Sequence, residues 1–190
     1  MPGSLIEWLA VALALAYVLL AIRQRRSCWW YAAASSALYV AIFVNAGLPM
    51  QALLNGYYVV MAAYGWYTWG RNRPGGEVAV HGWSPSAHVA VMAALALGAY
   101  GYAALLPDPR GPWVAFSDAW VAAGSMVATW MMARKVLENW LYWVLFDAAA
   151  VLLYATQGLY ATAGLFIVYV VLAVRGYVEW RRMPVPSGVA

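Results

Sequence analysis

Trp140, Trp143 and Asp147 follow one another at helical spacing, so one face of a single helix carries two indoles and a carboxylate. At 1.5 Å per residue Asp147 lies roughly 10 Å in from Trp140, too deep in a hydrocarbon layer for a short side chain to reach water. A carboxylate near the centre of a bilayer costs on the order of 2.5–3.5 kcal/mol on insertion scales, and by default it marks a ligand site or a pathway. Its chemistry would be that of a counter-ion: a group that only accepts hydrogen bonds, beside aromatic faces that attract cations by about 0.5–2 kcal/mol each. A cationic aromatic ligand uses both features. The plainer alternative is a protonated acid hydrogen-bonded to Ser36 or another neighbour.

Other apolar runs carry polar stripes that would complete such a site. Asn55, Tyr58, Trp66 and Trp69 share a face of one run; Ser36, Tyr39 and Phe43 share a face of another; Asp118, Ser125 and Thr129 share a third, and Tyr154 continues the Asp147 face. Small and hydroxyl residues also occur as plain packing contacts between membrane helices, which is the competing account of Ser36, Ser125 and Thr129. The candidate substrate-binding set is Asp147, Trp143, Trp140, Asn55, Tyr58, Ser36, Tyr39, Trp66, Tyr154 and Thr129. Glu7 and Asp118 could form an acidic outer mouth, or serve only as helix N-terminal acids. Glu138 is expected to pair with Arg134 and Lys135. His81 and His88 have no second ligand nearby in sequence, so no metal is expected, and no cofactor or nucleotide motif appears. Catalysis is disfavoured accordingly. Cys28, the one cysteine, reads as an apolar packing residue.

The elements that must position these groups are transmembrane helices. With 66% hydrophobic and 9% charged residues, the chain lies outside the range of soluble domains. Its formal charge of +4 comes from arginines between apolar runs, a topological signal and not a nucleic-acid surface. Seven spans are expected: Leu5–Ile22, Trp29–Val44, Met50–Trp69, Ala87–Leu106, Phe116–Ala133, Trp140–Ala155 and Leu159–Trp180. The first is read as a retained helix and not a signal peptide. Arg23, Arg25, Arg26, Arg71, Arg73, Arg134, Lys135, Arg181 and Arg182 all follow odd-numbered spans, placing those ends in the cytoplasm, the N-terminus outside and the C-terminus inside.

The chain also matches itself at an offset of 111 residues: Arg23 with Arg134, Trp29 with Trp140, Tyr58 with Tyr169, Gly65 with Gly176, Trp69 with Trp180. Residues 1–73 and 112–190 are therefore expected to be two parallel three-helix repeats. Residues 74–111 supply a loop, rich in Pro74, Gly75, Gly76 and Pro85, and a linker helix. This 3+1+3, SWEET-like plan puts a substrate site between the halves near the midplane.

The segments Tyr64-Gly65-Trp66-Tyr67-Thr68-Trp69, Arg134-Lys135 with Glu138-Asn139-Trp140 and Trp143, and Gly158-Leu159-Tyr160 with Gly176 and Trp180 resemble the Pnu family of bacterial vitamin transporters, over about Ile6 to Arg182. The resemblance implies a seven-helix fold in the inner membrane, a homotrimer, and facilitated diffusion of a vitamin that a cytoplasmic kinase traps. Nicotinamide riboside carriers of that family, as aligned, have amides near Ser35 or Ser36, at Asn55 and at Asp147. Here the amides are depleted and a carboxylate replaces one, so thiamine is the expected substrate, ahead of nicotinamide riboside. A proton-coupled or sugar carrier with Asp147 as proton site, and a membrane enzyme or receptor subunit on the same scaffold, are the competing readings.

Overall fold

A computed structural model describes residues 5–71, 79–106, 108, 109, 111–156, 158 and 160–183. Arg73, Pro74, Gly75, Gly76 and Leu159, used above for the linker and turns, lie outside the described residues. Among the described residues there are seven α-helices: α1 (Leu5–Ile22), α2 (Cys28–Asn45), α3 (Pro49–Trp69), α4 (Pro85–Leu105), α5 (Pro112–Ala133), α6 (Asn139–Thr156) and α7 (Tyr160–Arg182). Proline opens α3, α4 and α5, where its missing N–H is harmless, and Ser84 caps α4 by accepting from Ala87 N–H. Gly47 and Gly158 take φ of 70° and 75° in the turns after α2 and α6, a left-handed step that ends a helix most cheaply at glycine.

On mean hydropathy alone three helices are apolar enough to span a membrane: Leu5–Ile22, Pro85–Leu105 and Thr162–Arg182. The other four, 18 to 22 residues long, are diluted by tryptophan, tyrosine and hydroxyl residues that face protein or the interface. Their outer surfaces are nonetheless apolar. Leu53, Leu105, Leu152 and Trp113 are 69%, 81%, 69% and 71% exposed, a coat suited to lipid and not to water.

Neighbouring helices form a closed cycle. α1 packs on α2, α2 on α3, α3 on α5, α5 on α6, α6 on α7, and α7 returns to α1. Among the described residues the α4 backbone packs closely only on α5, with His88 reaching Tyr142 of α6 through its side chain, so α4 stands outside the six-helix ring. Within each group of three the middle helix separates the outer two.

The ring is pinned at its arginine-rich end. An added Cβ on Gly65 would land inside the Trp29 indole, and one on Gly176 inside the Trp140 indole, so each glycine is a seat for a ring. Trp29 meets Trp69 edge-on at 5.5 Å and Trp140 meets Trp180 edge-on at 5.4 Å. Trp69 Nε1 donates to the Met132 carbonyl, and Trp180 Nε1 to those of Ala21 and Ile22, so each group reaches the first helix of the other. Thr68 Oγ1 adds a bond to the Ala133 carbonyl at 2.8 Å.

The linker is more than a loop where it is described. His81 N–H donates to the Lys135 carbonyl and the His81 carbonyl accepts from Leu137 N–H, forming an isolated bridge to the α5–α6 turn. Glu138 accepts from Trp83 N–H at 3.2 Å and lies 3.9 Å from His88 Nε2, while Lys135 Nζ goes to Gln24 and Arg134 lies over Trp130. The expectation of Glu138 pairing with its sequence neighbours is thereby corrected: the turn geometry sends its carboxylate toward α4. His88, expected to be isolated, also contacts the Tyr142 hydroxyl at 3.1 Å. Among the described residues no cluster of ligands could hold a metal ion.

Candidate substrate site

Asp147 is 6% exposed in the middle of α6. Among the described residues no hydrogen bond or ion pair reaches its carboxylate, including from Ser36, which is itself buried. Its electrostatic neighbours are Tyr58 on α3 and Tyr169 on α7. Because α6 and α3 are not adjacent in the ring, the electrostatic reach between Asp147 and Tyr58 runs across its interior. The same reasoning places Tyr17 of α1, within range of Tyr58, and Tyr39 of α2, within range of Tyr169. Tyr58 also lies in range of Ser125 of α5, whose hydroxyl donates to the Val121 carbonyl at 2.8 Å. Each of the six ring helices thus sends one polar side chain, Tyr17, Tyr39, Tyr58, Ser125, Asp147 or Tyr169, toward a common centre.

The sequence-derived candidates divide on this geometry. Asp147, Tyr58 and Tyr39 belong to the central group. Thr129 is buried one turn along from Ser125, donating to the Ser125 carbonyl at 2.7 Å. Trp143 is half-buried between the two packing clusters of the molecule. Trp140, expected as a platform beside Asp147, is 2% exposed and held between Gly176 and Trp180; its place is in the scaffold. Trp66 is likewise engaged elsewhere, with the Arg26 guanidinium 3.8 Å from its centroid and Trp30 packed at 4.9 Å. Asn55 returns its amide N–H to the Gln51 carbonyl one turn back. Tyr154 stacks on Phe166 at 5.4 Å and lies in range of Asp118, toward the end of the ring opposite the arginines.

Two members of the central group, Tyr17 and Tyr169, were absent from the sequence-derived set. Tyr169 was findable, since it is the partner of Tyr58 in the internal match. Tyr17 has no such signal: it lies in an apolar run whose polar face only the ring defines.

Tyrosine side chains grouped around one buried carboxylate inside a ring of membrane helices have the chemistry to bind a small polar or cationic solute.

Comparison with known proteins agrees. The family described as "Nicotinamide mononucleotide transporter" matches residues 4–182. The chain belongs to this family of membrane transporters. It is 25% identical over 203 residues to the nicotinamide riboside transporter PnuC of Escherichia coli (strain K12), with 93% of this chain and 85% of that one covered. It is 31% identical over 172 residues to the riboflavin/roseoflavin transporter RibM of Streptomyces davaonensis, covering 87% and 80%. Its fold is similar to that in a crystal structure of the vitamin B3 transporter PnuC, with a TM-score of 0.74 at 20% identity over 95% of this chain and 82% of that one. The family relationship makes the protein a multi-pass membrane transporter of the vitamin class.

Proposed function

We propose that the protein is a uniporter for a cationic nitrogen-heteroaromatic vitamin, with nicotinamide riboside first and thiamine second. The observation that carries this reading is Asp147: a buried carboxylate without a protein partner among the described residues, at the centre of the ring, ringed by tyrosines. A bound cation supplies the missing charge, and the tyrosine faces suit an aromatic ring. The PnuC relative adds weight to nicotinamide riboside, whose pyridinium is a fixed cation. Thiamine is retained on a specific ground. Asn55 has its amide N–H committed to its own helix, so no carboxamide-reading pair is assembled around Asp147, and an acceptor-only group suits an aminopyrimidine or thiazolium.

The match at 111 residues and the reciprocal Trp69–Met132 and Trp180–Ala21 bonds support a 3+1+3 plan, with α4 as the linker that keeps both halves in one orientation. The arginine-rich end is assigned to the bacterial cytoplasm, the N-terminus to the outside. Assembly as a homotrimer and trapping of the vitamin by a cytoplasmic kinase complete the proposal.

Flux of labelled nicotinamide riboside, thiamine and riboflavin into liposomes containing the protein, with and without a pH gradient, tests it. Downhill flux of either cation that stops at equal concentrations is expected. Transport of neutral riboflavin alone would remove the counter-ion role from Asp147. Accumulation driven by the gradient would replace uniport with proton coupling.

A further inference from the structure

Gln24 and Lys135 stand at equivalent positions of the internal match, directly after α1 and α5. Both adopt positive φ, 50° and 57°, although neither is glycine. Left-handed backbone is unfavourable for residues with a Cβ and persists where the surroundings hold it, so its occurrence at two equivalent sites points to a task for the side chains. Those side chains meet. Lys135 Nζ donates to Gln24 Oε1 at 2.9 Å, and the ammonium sits 5.0 Å from the centre of the Trp69 ring. Lys135 is only 2% exposed even though it lies in a turn between helices. Gln24 Nε2 in turn reaches Met183 Sδ, just beyond α7, at 2.7 Å.

Beside this pair Trp69 and Trp180 pack against each other at 5.9 Å, and each hydrogen-bonds a carbonyl of the other half. The arginine-rich mouth of the ring is therefore filled by two tryptophans and crossed by one ammonium–amide bond. A solute passing from the central polar group to this end has to part them.

Resting on the transport reading above, we propose that the Lys135–Gln24 contact, seated on Trp69 and Trp180, is the latch that closes this mouth and opens for substrate release. The bond joins an ammonium to a neutral amide. Trp29 on Gly65 and Trp140 on Gly176 stay as fixed pivots within each half, while contacts between the halves change.

The test uses Gln24→Cys with Lys135→Cys in a Cys28→Ala background, since Cys28 is the chain's one cysteine. The two thiols are bridged in liposomes by a short cleavable bifunctional reagent. The probe is whichever of labelled nicotinamide riboside, thiamine and riboflavin the parent carries. Bridging is expected to lower flux at least about tenfold, with binding retained and flux restored on cleavage. Unchanged flux in the bridged protein, or loss of binding together with flux, overturns the latch.

A second arm needs no transport. Cys28 is 0% exposed in the packing cluster that holds Trp29, Trp69 and Trp180. Lys135→Met should speed its labelling by an impermeant maleimide from the arginine-rich side about tenfold, with the thermal midpoint held. Labelling at the parent rate overturns the proposal. A protein that carries none of the three vitamins would refute the transport reading while this arm still judges the latch.

Discussion

The two halves of the ring share a scaffold and differ in their chemistry. Trp29 on Gly65 with Trp69 edge-on is reproduced in Trp140 on Gly176 with Trp180, and Tyr58 is reproduced in Tyr169. At the centre the correspondence breaks: Asp147 of α6 matches Ser36 of α2, and Ser125 of α5 matches Ala14 of α1. Ring-on-glycine packing leaves no room for a Cβ, and the same seat occurs in both halves. A single substrate needs only one counter-ion, so charge appears once.

The comparison is broken most severely at the glycine seats. Gly65→Leu and Gly176→Leu each drive a side chain into an indole, with a loss of about 3 kcal/mol from overpacking. Thermal unfolding in detergent should show equal, large drops for both; a tolerant position in either half would end the claim of a shared scaffold. Next in size is the central pair. Asp147→Asn should weaken binding of a cationic vitamin roughly tenfold to hundredfold, the worth of a charged hydrogen bond, while Ser36→Ala changes it by less than about threefold. Titration calorimetry on folded variants reads this directly, and equal effects at the two positions would erase the asymmetry.

A smaller effect follows from acidity. A proton and a cationic vitamin compete for the Asp147 carboxylate, so lowering the pH neutralises the counter-ion and weakens binding; raising it does the reverse. In Asp147→Asn the dependence should flatten, and a slope that survives the substitution would place the titrating group elsewhere. Smallest are the tyrosines. Tyr58→Phe and Tyr169→Phe remove equivalent hydroxyls, each worth about 0.5–1.5 kcal/mol. Equal, small losses at both positions are expected in the same titrations, and a large loss at only one would end their equivalence.

Helix number, boundaries and the internal match were legible in the chain because they depend on local patterns: apolar length, arginine placement, and tryptophan and glycine in register. Asp147 was legible too, since a carboxylate inside an apolar run is conspicuous wherever the helix goes. The roles of the tryptophans were not. Trp140 and Trp143 share a helical face in sequence, yet Trp140 fills the seat at Gly176 and Trp143 lies between two clusters. Spacing along one helix fixes which residues point together and leaves open what they point at.

By itself the sequence determined that this is a bundle of membrane helices with a carboxylate deep in one of them, because hydropathy, charge and periodicity act within single helices. Only the tertiary structure decided that six helices close into a ring with α4 outside it, that Tyr17 and Tyr169 join the centre, and that Lys135 reaches Gln24 across the halves. These are contacts between residues far apart in the chain. Their geometry is set by how glycine seats and indole rings let whole helices approach, which no local pattern encodes.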